Sequence, residues 1–219
     1  RGDDYIDGGA DADTISGDDG SDEIYGSAGD DLISGDRGDD YIDGGADADT
    51  ISGDAGSDTL YGSDGADLIS GGADNDYIEG GMGDDTITGG EGSDTVVFAG
   101  NKGDFTFEVA SDGTLTVTDL NTMTALGVDT ITGVETLSFD DGDLTVTTAE
   151  DGYVTLTGTD ADDDVTVVGA TAVTLQGVMG SDTLTGGDGA DTIVGAEGDD
   201  VLDGGMGSDT ITGGDGANT

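Results

Sequence analysis

The amino-acid sequence predicts an all-β fold made of many short strands joined by tight turns. Glycine accounts for 45 of the 219 residues, aliphatic residues recur singly at a regular interval, and polar residues flank most of them. Glycine at this density disfavours helices, because an interior glycine costs about 1 kcal/mol relative to alanine. A lone aliphatic residue between polar neighbours fits a short strand, in which successive side chains point to opposite faces.

A nine-residue repeat runs through residues 1–97 almost without interruption, and Gly80–Thr88 (GGMGDDTIT) is a typical unit. The sixth position is aspartate in every unit, at Asp4, Asp13, Asp22, Asp31, Asp40, Asp49, Asp58, Asp67, Asp76, Asp85 and Asp94. The eighth position is aliphatic in every unit, at Ile6, Ile15, Ile24, Ile33, Ile42, Ile51, Leu60, Ile69, Ile78, Ile87 and Val96. This regularity predicts a stack of similar units whose eighth positions form the core.

The first, second and fourth positions of the repeat are usually glycine, which predicts tight turns with positive φ angles and close backbone approach. Some units depart from this pattern. Aspartate replaces the fourth-position glycine at Asp11, Asp47 and Asp74, and Asp18, Asp36, Asp54, Ser27 and Ser63 replace the second. Aspartate tolerates the left-handed region better than most residues, so we expect strained but permitted turns at these positions.

The charge of the chain restricts its partners. Lys and Arg number 3 against 52 Asp and Glu, a formal net charge of -49, so nucleic acid and anionic membrane surfaces are repelled. Apolar residues come in short groups, and none approaches the roughly 20 residues needed to cross a bilayer. The chain lacks Cys and His, which leaves oxygen atoms as metal ligands and no candidate for catalysis. We therefore expect a cation-binding protein that neither inserts into membranes nor acts as an enzyme.

The repeat resembles the RTX family of calcium-binding nonapeptides, whose pattern is G-G-x-G-x-D-x-U-x, where U is aliphatic. The resemblance is close over residues 1–97 and 177–212 and weaker in the unit Gly158–Thr166. It implies a right-handed parallel β-roll in which two nonapeptides form one coil and Ca²⁺ lies between the turns of successive coils. It also implies export by a type I secretion system.

Sixth-position residues 18 apart are the expected calcium ligands. They form nine pairs in the first block, from Asp4 with Asp22 to Asp76 with Asp94, and three in the distal block, so we expect about twelve ions. Calcium is a hard cation that takes six to eight oxygen ligands, and these turns are rich in carboxylate and carbonyl oxygens. To the eleven aspartates above we add Asp163, Asp182, Asp191, Asp200, Asp209 and Asn218 as metal ligands.

The predicted domains are a first β-roll block at 1–97, an intervening β-strand segment at 98–157 and a second block at 158–219. The middle segment loses the nonapeptide, contains all four Phe residues and alternates apolar with polar residues. We expect its strands at Phe105–Ala110, Thr114–Asp119, Glu135–Phe139 and Asp143–Thr148. Residues 167–176 hold ten residues where nine are expected, which predicts a bulged coil.

The outward positions of the first block predict one tyrosine-rich, acidic face. Tyr5, Tyr41 and Tyr77 fall in one column, and Tyr25 and Tyr61 fall in a column two residues further along each strand. Tyrosine is enriched at interfaces, so we hypothesise that this face packs on neighbouring copies or on a surface glycan. Ordinary stacking within the ladder is the competing interpretation.

The sequence therefore favours a calcium-binding, calcium-folded structural or adhesive module of a secreted bacterial surface protein. We expect such a module to be extracellular, at the cell surface. An alternative is an accessory module of a secreted enzyme or toxin whose catalytic domain lies outside this chain.

Overall fold

A computed structural model describes residues 2–123 and 125–219. The chain divides into two compact units. Unit 1 comprises Arg1–Phe98 with Met123–Glu135, and unit 2 comprises Ala99–Thr122 with Thr136–Thr219. The predicted boundaries at 97 and 157 stay a prediction, since the two units share the residues of the middle segment between them.

Short strands make up almost all of the regular structure of the described residues. They are β1 Tyr5–Gly9, β2 Thr14–Ser16, β3 Glu23–Ala28, β4 Leu32–Ser34, β5 Tyr41–Ala46, β6 Thr50–Ala55, β7 Thr59–Asp64, β8 Leu68–Ala73, β9 Tyr77–Met82, β10 Thr86–Glu91, β11 Thr95–Val97, β12 Phe105–Val109, β13 Leu115–Asp119, β14 Val128–Thr132, β15 Thr136–Phe139, β16 Gly142–Thr148, β17 Val154–Thr157, β18 Asp164–Val168, β19 Val173–Met179, β20 Thr183–Thr185, β21 Thr192–Glu197, β22 Val201–Asp203 and β23 Thr210–Asp215. One 3-10 helix, Lys102–Asp104, precedes β12.

Unit 1 is a parallel β-roll. Strands β1, β3, β5, β7, β9 and β11 neighbour one another in one sheet, and β2, β4, β6, β8, β10 and β14 do so in another. The paired strands are parallel, and the register Ile6 with Ile24 with Ile42 sets one coil at two nonapeptides. The predicted all-β class and parallel β-roll are therefore confirmed.

The aliphatic column predicted from the eighth position forms the core of unit 1. From Ile24 to Val96 each of these side chains is at most 1% exposed. Each short strand contributes one such residue, since its two neighbours point away from the core. Only a few apolar groups are therefore buried per coil.

Unit 2 combines repeat coils with an irregular β segment. Strands β15, β16, β17, β19, β21 and β23 form one series of neighbours, and β13, β12, β18, β20 and β22 form the other. The pairs β12–β13, β15–β16 and β16–β17 are antiparallel, and the later ones are parallel. The four strands predicted in the middle segment are present within one residue of their expected bounds, whereas β14 and β17 were not predicted as strands.

The irregular segment of unit 2 has an aromatic core. The rings of Phe105 and Phe139 lie 5.3 Å apart between centroids, and Phe107 meets Phe139 edge-on at 6.0 Å. All three are at most 6% exposed. Buried aromatic side chains contribute more apolar area per residue than the single aliphatics of the repeat coils.

The coil around residues 167–176 has the predicted extra residue. Val154 pairs with Val173 and Asp164 with Thr183, an offset one residue longer than the Thr174–Thr192 pairing that follows. The bulged coil is therefore confirmed.

The substituted turn positions adopt the backbone conformation expected of glycine. Positive φ angles of 70° to 82° occur at Asp18, Ser27, Asp36, Asp47, Asp54, Ser63 and Asp74, but not at Asp11. In unit 2 the second-position residues Val178 and Ala196 also have positive φ, at 91° and 78°. Val178 is the most strained of these, because a β-branched side chain rarely adopts this region.

Candidate metal-binding turns

The sixth-position aspartates form ladders through hydrogen bonds between successive coils. In each pair the backbone N–H of one residue donates to Oδ1 of the aspartate 18 residues later, as from Asp40 to Asp58 at 2.8 Å. This pattern holds for every predicted pair from Asp4 with Asp22 to Asp76 with Asp94, and for those at Asp182, Asp191 and Asp200 in unit 2. The structure thus brings together the residues that the 18-residue spacing paired.

The second carboxylate oxygen of these aspartates is buried without a partner. Oδ2 accepts no hydrogen bond at Asp22, Asp31, Asp40, Asp49, Asp58, Asp67, Asp76, Asp85, Asp94, Asp182, Asp191 and Asp200. Each of these side chains is at most 3% exposed. An unsatisfied buried polar atom costs free energy, and an ionised one costs more, so a ladder of such atoms calls for a ligand.

The surroundings of these Oδ2 atoms explain why the first position of the repeat is glycine. A Cβ on Gly8 would lie 2.9 Å from Asp13 Oδ2 and 2.9 Å from the carbonyl oxygen of Gly26 in the next coil. The same two kinds of oxygen flank Gly26, at 2.5 Å from Asp31 Oδ2 and 2.5 Å from the Gly44 carbonyl. A carboxylate oxygen and a carbonyl oxygen from successive coils therefore converge beside these and most other first-position glycines.

Within residues 2–123 and 125–219, no three acidic side chains gather around one point. A cation in these turns would be held by carboxylate oxygens together with backbone carbonyl oxygens. That mixed set of oxygen ligands is typical of calcium sites.

The pKa values of the buried aspartates reflect this environment. Burial raises the pKa of Asp58 to about 7, although the N–H of Asp40 opposes the shift and the nearby carboxylates of Asp76 and Asp40 add to it. Burial likewise raises the pKa values of Asp49, Asp67, Asp76 and Asp182 to about 6. It also raises those of Asp40, Asp85, Asp94 and Asp191. Without a counter-ion the ladder therefore favours protonation.

The remaining predicted ligands occupy less regular positions. Asp4 is exposed, and Asp13, Asp209 and Asn218 are half-buried. Asp163 is buried, but its carboxylate contacts other protein groups and is described separately below. In the bulged coil, Val173 occupies the place of a sixth-position aspartate and donates its N–H to Asp191 Oδ1 at 2.9 Å.

Two acidic residues that were not predicted as ligands extend the ladders of unit 1. Asp129 Oδ1 accepts the N–H of Asp85, and Glu135 Oε2 accepts the N–H of Asp94, both at 2.9 Å. Asp129 precedes Ile131 by two residues, the spacing between the sixth and eighth positions of the repeat. That spacing was the available signal, but Asp129 lies 44 residues after Asp85, whereas the regular ladder partner lies 18 residues away.

The fold and these turns define a parallel β-roll whose successive coils present buried carboxylate and carbonyl oxygens suited to a hard divalent cation. The family model of the RTX calcium-binding nonapeptide repeat (4 copies) matches residues 1–33, 25–60, 61–96, 176–211 and 185–219. The chain therefore belongs to this family, whose repeats bind Ca²⁺. A search of curated proteins found no match.

Among solved structures, the chain is similar to the extracellular lipase LipA from Serratia marcescens. The identity is 22% and the TM-score 0.30, with coverage of 88% of this chain and 34% of the lipase. The chain thus spans about a third of that protein. Among the described residues, no helix is long and apolar enough to cross a membrane.

Proposed function

We propose that this chain is a calcium-folded structural or adhesive module of a secreted bacterial surface protein. The observation that carries the proposal is the row of buried Oδ2 atoms without partners, nine in unit 1 and three in unit 2. One ion for each such atom gives about twelve, the number expected from the sequence.

In this mechanism bound Ca²⁺ supplies the positive charge and the coordination positions for six to eight oxygens. The hydrogen bond from the preceding coil to Oδ1 fixes the carboxylate, so that Oδ2 is presented beside the first-position glycine. Glycine leaves the space that any side chain would fill. Because ordered turns form only when coils stack, binding and folding are coupled.

The test is a calcium titration followed by circular dichroism, with magnesium as the control. We expect β-structure to form cooperatively at roughly 10⁻⁴ to 10⁻³ M free Ca²⁺, the range of extracellular calcium modules. Magnesium should be much less effective, because it prefers a smaller octahedral site and retains its waters. Equal β-structure after exhaustive chelation would contradict the proposal.

An extracellular location follows from the same coupling. Repeats of this family occur in secreted proteins, and a calcium requirement in this range keeps a chain unfolded in the low-calcium cytosol and folds it outside. Export by a type I system suits a chain that is unfolded until it meets calcium. Whether the module lies at the cell surface is tested by labelling intact cells.

The adhesive part of the proposal rests on the tyrosine face of unit 1. Tyr5, Tyr25, Tyr41, Tyr61 and Tyr77 form a continuous zigzag with centroids 5.5 to 6.2 Å apart. The Tyr25 hydroxyl donates to Glu23 at 2.7 Å, which raises the pKa of Tyr25 to about 12. Aromatic faces with adjacent acceptors suit either a glycan or a neighbouring copy of the chain.

Replacing Tyr41 and Tyr61 together by alanine tests this face. We expect self-association or glycan binding to weaken, as measured by sedimentation and by glycan capture. The calcium midpoint should stay unchanged, because both side chains point away from the core, on the outer face of their strands. Unchanged association in the double variant would remove the adhesive role and leave calcium-dependent folding intact.

A further inference from the structure

The only lysine of this acidic chain is completely buried in unit 2. Lys102 lies in the 3-10 helix before β12 and has 0% exposure. A buried ammonium group is costly unless it is paired and hydrogen-bonded, so its surroundings must stabilise it.

Four oxygen atoms surround the Lys102 ammonium. Nζ donates to the carbonyl oxygens of Asp141 and Gly142, each at 3.0 Å. It also lies 3.1 Å from Asp163 Oδ1 and 3.2 Å from Asp141 Oδ1. Two carboxylates and two carbonyls are the same kinds of ligand that converge in the repeat turns.

Asp163 links this cage to the repeat. It is the sixth-position aspartate of the unit Gly158–Thr166, and its N–H donates to Asp182 Oδ1 at 3.0 Å as in the regular ladder. Its Oδ2 accepts the N–H of Thr159 at 2.7 Å. Its Oδ1 has no hydrogen bond of good geometry, but its ion pair with the ammonium supplies the charge that this buried oxygen needs. Neither oxygen of Asp163 therefore requires a divalent ion.

The backbone also accommodates the ammonium. Gly142 has φ +117°, and a Cβ there would lie 3.3 Å from Lys102 Nζ. The Lys102 N–H donates to Asp141 Oδ1 at 3.0 Å, which holds that carboxylate in the cage.

We infer that Lys102 fills a cation site of the roll with the protein's own ammonium group. At this turn the Lys102 ammonium supplies positive charge to the carboxylate and carbonyl oxygens, as Ca²⁺ is proposed to do at the other turns. The irregular segment, residues 99–122 and 136–168, therefore becomes ordered without calcium and provides a folded edge for the coils that follow in unit 2. The role of Lys102 does not depend on the proposed function. Calcium-dependent folding of unit 1 serves only as the comparison.

Hydrogen exchange of the full chain in chelator tests the inference directly. We expect amides of β12, β15, β16 and β18 to stay protected, while those of the repeat strands in unit 1 exchange freely. If the irregular segment exchanges as fast as those repeats, the inference is wrong. If the repeats are protected too, the proposed calcium dependence fails, and the variants below still decide the role of Lys102.

Two variants separate the charge from the space that it occupies. Lys102→Met keeps the length of the stem but removes the ammonium, and leaves the buried Asp163 carboxylate and the half-buried Asp141 carboxylate without their ion pair. We expect at least about 100-fold faster exchange of the segment in chelator, because breaking a buried ion pair is strongly destabilising. Calcium should not restore its protection, since the methionine side chain blocks the cage.

Lys102→Ser removes the charge and leaves space for an ion. The same loss is expected in chelator, but here millimolar Ca²⁺ should restore protection and bind with one more ion per chain than in the methionine variant. Calcium binding is counted by isothermal titration, which does not depend on exchange. Protection in chelator equal to wild type in both variants, or no additional ion in the serine variant, would overturn the assignment.

Discussion

The repeat coils of unit 1 and the irregular segment of unit 2 are both built from short strands but differ in what neutralises their buried carboxylates. A repeat strand buries one aliphatic side chain, such as Leu60, beside an aspartate whose Oδ2 has no partner. The irregular segment buries Phe105, Phe107 and Phe139 and pairs its carboxylates with Lys102. We propose that ions stabilise the first region, whereas the chain's own side chains stabilise the second.

On this proposal the regular repeat, the most recognisable part of the sequence, is the part least able to fold without ions. Large buried aromatic groups contribute about 1.5–3 kcal/mol each, whereas a ladder of like charges opposes folding. The four predictions that follow test this contrast, from the largest expected effect to the smallest.

The largest effect is expected from pH, because burial raises the pKa values of several ladder aspartates. The pKa values of Asp58, at about 7, and Asp49, at about 6, are raised above 3.8, so the metal-free fold binds more protons than the unfolded chain. Metal-free stability is therefore greatest at low pH and is lost as pH rises toward about 7. Calcium binding has the opposite dependence, because protons compete for the same oxygens.

Circular dichroism in chelator should show more β-structure at about pH 5 than at about pH 8. In parallel, the calcium midpoint should be at least about tenfold higher at the lower pH. Metal-free β-structure that increases with pH would contradict the raised pKa values.

A paired core substitution separates the two regions. Phe107→Ala should cost about 3–5 kcal/mol of unfolding free energy in the irregular segment, and Leu60→Ala about 2–5 kcal/mol in the repeat. In chelator only the phenylalanine variant should show its effect, because the coil around Leu60 is not folded there. Urea denaturation with and without calcium measures both, and a Leu60→Ala effect of equal size in chelator would remove the distinction.

The effect of Asp58→Asn on folding should be unfavourable with calcium and neutral or favourable without it. With calcium, loss of a ligand oxygen and a charge should raise the calcium midpoint about tenfold, equivalent to about 1.4 kcal/mol. Without calcium, the same change removes a buried charge and should leave folding equal or stabilised. Asp64→Asn on the exposed surface is the control and should alter neither.

The smallest effect is expected at Val178, whose φ is +91°. Val178→Gly relieves about 1–2 kcal/mol of backbone strain, offset by about 0.5–1 kcal/mol of added chain entropy, for a net gain near 0.5–1 kcal/mol. The residues at the same register position in the next two coils, Ala196 and Gly214, are smaller than valine. Val194→Gly in β21 has no such strain to relieve, so it should destabilise the protein. Thermal unfolding in calcium measures both variants.

Strict periodicity made much of the fold predictable. The lone aliphatic at the eighth position was sufficient to predict the strands and the core column, because each coil repeats the geometry of the one before. The 18-residue pairing of the aspartates came from the family resemblance, which implies two nonapeptides per coil. Asp129 and Glu135 escaped this reasoning, since they continue the ladders only after a long excursion of the chain. The cage around Lys102 was also missed, because its four oxygens come from segments with no shared period.

The hydrogen bonds of the sixth-position aspartate ladder all run in one direction. In each ladder pair the N–H of the earlier sixth-position aspartate donates to the carboxylate of the coil that follows it in sequence. Within this ladder, removing the last coil would leave an aspartate N–H without its acceptor, whereas removing the first would leave a carboxylate oxygen without its donor. The two ends of the ladder are therefore chemically unequal.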